Sequence, residues 1–536
     1  MCHRRLRVIS CLLLALLLLP LLPGRGEAAE APRTEAPPAS GFPDAEGHWA
    51  WAYLELADRK GLTAGLEPAG LAPDEPLTRA MFITMLYRCA GSPPVRLTAL
   101  NEEGESVHRS RFSDVPAEAW YEKAAVWAAE NRITAGTGPR AFSPDRPVTR
   151  EQMCVLTARL AEVLGGELSH VLPRTVFQDD AEIADYAREQ VYLLQGCEIV
   201  CGTGKGRFAP QQPICRAEAA VVLTGTLRAL GRLRPTQDLV DPKQDIDYEQ
   251  MTVCLRELAI NYPWLIRLSS AGSSCEGRDI PMVCFGRGEK YIYTQAGTHA
   301  REHQTTNFLL EVLDRYAYAY ETEGSLDGYP LRELLDEYTL VMLPRVNPDG
   351  VNVAQKGFDA AKDPAALEAM EGAEQGAAQW KANVRGTDIN RNFPCFWEQQ
   401  GAVPASAYYS GTYAASAPET RAVIGVMKQY PYAAFLDIHM AGNVIYFCNP
   451  GIDSDYYQRS MSYARKLCAR TGYRLAYSDD IRKDQSAMAY ARWQFRVPAL
   501  TVEICAYAGF PHNSARFDTE IWSYAKDLFL EAMSIS

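Results

Sequence analysis

The chain has 536 residues, too many for one ordinary core, and its 47% hydrophobic and 22% charged content excludes wholesale disorder. Its net charge of −12 argues against nucleic acid or an anionic membrane surface as the main partner.

Arg4, Arg5 and Arg7 precede an apolar run from Cys11 to Leu22, and small residues follow around Gly26 to Ala31. A basic start, a short apolar stretch and a cleavage-like segment read as a secretory signal over residues 1–29. The run is short against the ~20 residues that a spanning helix needs, and no later segment is long and apolar enough to cross a membrane. A Pro/Ala/Glu-rich leader, 30–40, comes next. Two of the 14 cysteines lie in the signal, and an even remainder in an exported chain permits disulfides. Cys154, Cys254, Cys284 and Cys505 sit in apolar runs that suit buried thiols equally well, and Cys197, Cys201 and Cys215 read as structural.

A unit then repeats three times, over 41–95, 111–166 and 176–231. Each opens on Phe-x-Asp (Phe42, Phe112, Phe177), passes a Gly-containing loop, and reaches an extended x-x-Pro segment at Pro73, Pro144 and Pro210. Each closes on Leu77-Thr78-Arg79-Ala80, Val148-Thr149-Arg150-Glu151 or Ile214-Cys215-Arg216-Ala217-Glu218. The pattern predicts a helix, a loop, an extended stretch and a second helix per unit, with Thr78 and Thr149 as helix caps. Cys215 breaks the capping pattern. One such hairpin cannot bury its own apolar face, so the three must pack together. The repeats resemble S-layer homology domains, modules that bind secondary cell-wall polysaccharide, often acidic. That resemblance implies a cell-surface location, and it implies that Arg79, Arg150 and Arg216 meet the acidic sugar with their guanidinium forks.

Residues 232–247 are polar and read as a linker. Beyond them, 248–536 alternates strands (Lys290–Ala296, Thr339–Val346, Ala433–His439, Pro498–Cys505) with helices (Thr306–Tyr320, Ala417–Lys428, Asp455–Thr471). This alternation predicts an α/β domain with a mixed, mostly parallel sheet behind the helical repeat module.

His299 and Glu302 follow the first of these strands closely enough to reach one metal ion. The same segment also reads His299-x-x-Glu302-His303, a pattern in which both histidines would be ligands and Glu302 the base. That alternative needs a helix carrying both histidines, whereas the motif ends a strand. His439 and Glu503 arrive at the carboxyl ends of two further strands, where sites form in open α/β sheets. A glutamate inside an apolar strand is costly unless it is paired or functional.

His299-x-x-Glu302, Asn347-Pro348-Asp349-Gly350, Asp388-Ile389-Asn390-Arg391-Asn392, His439 and Glu503, in this order, resemble the M14 zinc carboxypeptidase pattern. The resemblance implies one Zn2+ held by His299, Glu302 and His439, with Glu503 as general base and Asp388 fixing the His299 ring. It implies that Asn390 and Arg391 hold a substrate carboxylate, and it requires a positive group for the oxyanion, for which Arg385 is favoured over Lys381. Tyr477 and Tyr490 are candidates for a substrate-capping tyrosine, and the Asn-Pro-Asp-Gly stretch is expected as a turn that shapes the site. The stretch from Trp380 to Trp397 resembles the bacterial γ-D-glutamyl-L-diamino acid peptidases of that family. A peptidoglycan stem peptide is therefore the expected substrate. A general carboxypeptidase acting on extracellular peptides and an inactive wall-binding protein are the alternatives.

Overall fold

The computed structural model describes residues 43–536, apart from 65–69, 101–105, 109, 169–172, 448–453, 478–483 and 508. The expected signal and leader lie outside the described residues. No helix among the described residues is long and apolar enough to cross a membrane. The chain divides into two compact units, one up to Arg234 and one from Pro235.

Each repeat of the first unit contributes two helices, α1 (Trp51–Arg59) and α2 (Arg79–Cys89), α3 (Glu122–Glu130) and α4 (Arg150–Val163), and α5 (Asp185–Gly196) and α6 (Arg216–Ala229), and they pack across repeats, α2 on α3, α4 on α5 and α6 on α1. A small hairpin of β1 (Thr98–Leu100) and β2 (Ser106–His108) lies between the first two repeats in the chain. Within each repeat the opening aspartate clamps the extended segment. Asp44 accepts from the Leu71 and Ala72 N–H groups, Asp114 from Phe142 and Ser143, and Asp179 from Phe208 and Ala209. Thr78 and Thr149 cap α2 and α4 by accepting from Met81 N and Gln152 N. At α6, where cysteine replaces threonine, the Glu218 carboxylate accepts the Cys215 N–H at 3.0 Å instead.

Between repeats the backbone closes a ring. Leu77 N donates to Ile214 O, Ile214 N to Val148 O, and Val148 N to Leu77 O, at 2.9–3.0 Å. All three side chains are fully buried in one shared core.

Two of the arginines expected at the sugar are instead part of this joint. Arg79 and Arg150 are only 4% and 5% exposed. Arg79 donates to Phe142 O and Thr134 Oγ1 of the second repeat and lies over the Phe142 ring. Arg150 donates to Phe208 O and Cys201 O of the third, lies over the Phe208 ring, and pairs with Glu218. Arg216 completes the circuit by donating to Leu71 O of the first repeat at 3.1 Å. An arginine that joins a helix start to the next repeat's carbonyls has few donors left for a ligand.

The second unit is built on an eight-stranded sheet of order β3-β4-β6-β5-β7-β10-β8-β9. Its strands are β3 (Ile266–Ser273), β4 (Asp279–Gly286), β5 (Lys290–Gln295), β6 (Tyr338–Leu343), β7 (Tyr432–Met440), β8 (Val444–Phe447), β9 (Arg474–Tyr477) and β10 (Ala499–Ile504). The central four, β6-β5-β7-β10, run parallel; β4 and β8 pair antiparallel with them on either side, β3 is antiparallel to β4, and β9 is parallel to β8. Their near-continuous apolar runs follow from burial on both faces; every residue of β6 is buried. Helix α7 (Tyr248–Asn261) opens the unit, and α8 (Gln304–Thr322) is buried along most of its length.

The stretch expected as a linker belongs largely to this second unit. Val240 and Ile246 are buried, Val240 N donates to Asp314, and Asn307 Nδ2 donates to the carbonyls of Pro242 and Gln244. A polar composition concealed it, because the docking is made mainly through backbone groups.

Candidate metal and catalytic site

The carboxyl ends of the adjacent parallel strands β5, β7 and β10 assemble the site. After β5 the chain turns at Gly297, whose φ of +58° and close approach to Thr306 and Arg345 would strain and crowd a side chain. Two successive tight turns, Glu302 N to His299 O and Thr305 N to Glu302 O, then present His299 and Glu302 side by side. On β7, Asp437 and His439 alternate onto one face, and the parallel register sets Glu503 of β10 directly beside His439.

The result is a buried group of three ligand atoms from His299, Glu302 and His439, all within 4.8 Å of one another. His299 Nδ1 lies 2.7 Å from Glu302 Oε1, His439 Nδ1 lies 2.9 Å from Glu302 Oε2, and the two Nδ1 atoms are 3.2 Å apart. The other nitrogen of each ring faces a carboxylate, His299 Nε2 at 3.2 Å from Asp388 and His439 Nε2 at 3.0 Å from Asp437. A proton on His299 Nε2, hydrogen-bonded to Asp388, leaves its Nδ1 lone pair directed with His439 Nδ1 and the Glu302 carboxylate at one spot, an arrangement that a cation satisfies.

The electrostatics agree. Burial disfavours charge on His439, yet the flanking Asp437 and Glu302 carboxylates raise its pKa well above the ordinary range. Burial likewise opposes ionisation of Glu302, but His299 and His439 hold its carboxyl well below the usual value. Asp388 is also buried and is held well below the ordinary range by Lys381, His299 and Arg391. The site demands positive charge among its carboxylates. Glu503 behaves in the opposite way: burial first, then Glu302 and Asp437, push its carboxyl up to about 7 against the pull of His439 and Lys381.

Asn390 Nδ2 lies 3.2 Å from His439 Nε2, and its Oδ1 accepts from Ala487 N, at the start of the helix Ala487–Phe495. Arg391 donates to Asn390 O and lies 5.1 Å from the centre of the Tyr408 ring. Asn347 caps the helix Pro348–Lys356 rather than closing a turn, and its Nδ2 binds the carbonyls of Thr298 and Ala382. This motif therefore braces the segments carrying His299 and Lys381 from behind.

Arg385 is placed differently from expectation. It is exposed on a turn and lines a separate cavity with Cys275, Glu276 and Lys362. Lys381, by contrast, reaches the site, its Nζ meeting Asp388 Oδ2 at 2.8 Å. Fixed charge favoured Arg385, but the backbone turns after Asn383, whose side chain accepts from Arg385 N and Thr387 N, and leaves Arg385 exposed. Tyr490 is buried among Phe393 and Phe495. The side chain of Tyr477 lies outside the described residues. His303, ligand in the alternative pattern, is buried at the start of α8 and stands outside the ligand group. Asp437 escaped the sequence reading, although its spacing of two from His439 on a strand was the available signal.

The sequence profile described as zinc carboxypeptidase matches residues 251–497, and that of the S-layer homology domain matches 41–81, 111–154 and 176–220. A γ-D-glutamyl-L-diamino acid endopeptidase of Lysinibacillus sphaericus is 30% identical over 314 residues, covering 56% of this chain and 75% of that protein. The chain belongs to the zinc carboxypeptidase family. It is a hydrolase of that family carrying three S-layer homology domains, which mark it for cell-surface anchoring. An amylopullulanase of Thermoanaerobacterium thermosulfurigenes is 31% identical over 192 residues, 36% of this chain and 10% of that protein. Among solved structures, thrombin-activatable fibrinolysis inhibitor is 19% identical, with a TM-score of 0.45 over 55% of this chain and 74% of that one.

Proposed function

We propose that the protein is an exported, wall-anchored zinc peptidase that hydrolyses the amide bond between γ-D-glutamate and the diamino acid of peptidoglycan stem peptides. The observation that carries the catalytic half is the convergence of His299, Glu302 and His439, each histidine backed by a carboxylate, with Glu503 in register beside them. The likeness to an enzyme named for γ-D-glutamyl-L-diamino acid cleavage supports the substrate, and the S-layer homology domains support an address beside it. The basic and apolar amino-terminal segment supports export.

His299, Glu302 and His439 hold the Zn2+, which when bound polarises the scissile carbonyl and makes water a stronger acid. Glu503 accepts the proton of the attacking water and returns it to the leaving amine. Lys381 meets the negative charge that develops on the carbonyl oxygen, taking the role expected of Arg385. Asn390 and Arg391 hold the carboxylate of the leaving diamino acid, and Asp388 and Asp437 fix the two imidazole rings.

In the anchor, the wall polysaccharide meets exposed aromatic faces rather than the arginines. Trp49, Trp120 and Tyr186 are 65%, 58% and 55% exposed and stand at equivalent positions, thirteen residues before Leu62, Ile133 and Ile199.

The test uses purified protein with and without zinc chelation. It is incubated with a muropeptide carrying L-Ala-γ-D-Glu-diaminopimelate and, separately, with carboxyl-blocked and unblocked protein peptides. Chelator-sensitive release of the diamino acid part is expected. Trimming of unblocked protein peptides alone would make it a general carboxypeptidase, and zinc binding without any cleavage would leave a wall-binding protein.

A further inference from the structure

Tyr408 and Tyr409 are neighbours in the loop between Asn392 and the helix Pro418–Met427, and only one of them serves the core. Tyr409 is 6% exposed, whereas Tyr408 is 53% exposed, so burial does not account for where its ring lies. The centre of that ring is 5.2 Å from Lys381 Nζ and 5.1 Å from the Arg391 guanidinium carbon. The ring also walls a cavity of about 220 Å³ that Lys381 and Asp388 line.

The backbone is bent to put it there. Tyr408 has a φ of +63° and Ala405 one of +65°, a left-handed conformation that a residue with a β-carbon keeps only where its surroundings hold it. Two straps hold this loop: Ala405 N donates to Gly386 O and Asp388 N to Tyr409 O, both at 2.8 Å. The segment that sets Asp388 behind His299 therefore sets the Tyr408 ring as well. Both cations are tied to that same segment, Lys381 Nζ to Asp388 Oδ2 and Arg391 Nη1 to Asn390 O, each at 2.8 Å. The ring completes a frame that holds two like charges near one another, and the negative face of an aromatic ring attracts both.

We infer that Tyr408 is a positioning residue whose ring is a shared clamp, fixing the spacing between Lys381 and Arg391. The clamp rests on the roles proposed above for those two cations, one at the carbonyl oxygen and one at the carboxylate of the leaving residue. Their spacing sets how far that carboxylate can lie from the carbonyl under attack. The ring thus acts on the choice of leaving residue through the two cations, without touching the bond that breaks.

The experiment uses the full zinc-loaded chain and L-Ala-γ-D-Glu-diaminopimelate, with kcat, KM and zinc content measured for each variant. Tyr408→Phe keeps the ring and should stay within about twofold of the wild type in kcat/KM. Tyr408→Leu removes it and should lower kcat/KM by on the order of 5- to 30-fold, the range of two cation–π contacts, with zinc content unchanged. The deciding readout is a cycle with Lys381→Met and with Arg391→Met. In each of those backgrounds Tyr408→Leu should cost less than in the wild type, the remaining loss lying in KM where Lys381 is replaced and in kcat where Arg391 is. A loss of equal size in all three backgrounds, a Tyr408→Phe as impaired as Tyr408→Leu, or a Tyr408→Leu with wild-type kcat/KM overturns the clamp and leaves the substrate class standing. Failure of the wild type to cleave the substrate overturns both.

Discussion

Replacing Glu503 by glutamine tests the catalytic assignment most directly. The substitution keeps the shape of a residue paired in register with His439 and removes only its capacity to accept a proton. Loss of a positioned general base lowers rate by ~10²- to 10⁴-fold, equivalent to about 3–5 kcal/mol on the barrier. His299, Glu302 and His439 are untouched, so zinc should stay at one per chain. The pH profile supplies a second reading. Glu503 acts as a carboxylate, so kcat/KM should fall as pH drops through its pKa. Burial lifts that pKa to about 7, and a cation held by the neighbouring ligands favours the charged form. The acid limb should therefore lie at or below about 7 and vanish from the residual activity of Glu503→Gln. The assays are steady-state muropeptide cleavage and metal analysis of the same samples. A variant that keeps more than about a tenth of wild-type turnover with zinc bound would refute the reasoning, since removing a working general base costs at least about a hundredfold.

Lys381→Met should lower kcat by roughly 10²- to 10³-fold, as loss of an oxyanion donor does, whereas Arg385→Met should stay within about twofold; comparable losses would return the role to Arg385. Asp388→Asn should weaken zinc affinity by ~10- to 100-fold, measured by competition with a chromophoric chelator, because His299 loses the carboxylate behind its ring. Arg150→Ala should cost the anchor about 3 kcal/mol by stranding Glu218 and two carbonyls, a fall of roughly 6–12 °C in its calorimetric transition. Trp49→Ala with Trp120→Ala should weaken pelleting with purified cell walls while leaving that transition in place; unchanged pelleting would remove the aromatic faces from the binding surface.

Much of the second unit was legible because its central strands are buried on both faces. The expected Lys290–Ala296 and Ala433–His439 stand as Lys290–Gln295 and Tyr432–Met440. The outer strands β3, β4, β8 and β9 were not anticipated; β3 carries mixed burial, β4 contains Pro281, and the other two are four residues each, so neither length nor periodicity gave a clear signal. The ligand group was legible because His299, Glu302 and His439 lie at or just beyond strand ends, where local sequence sets position. Side-chain direction on irregular backbone was not. Lys381 and Arg385 lie four apart on one loop, and only the folded turn determines which of them reaches Asp388. The burial of Arg79 and Arg150 at the joints between repeats was not legible for a related reason. A repeat motif reveals which residues recur, but recurrence at a joint between repeats looks the same in sequence as recurrence at a ligand.

The ring formed by Leu77, Val148 and Ile214 has a consequence for how such an anchor can change. Open solenoids grow or shrink by adding or losing copies at their ends, because each copy touches only its neighbours. Here the third copy hands its backbone bond back to the first, so the array has no end at which to add one. A fourth repeat has no seat, and removal of any one exposes a raw edge on both survivors. The number three is a closure condition of the fold, and stronger wall binding would have to come from a second complete ring rather than a longer one.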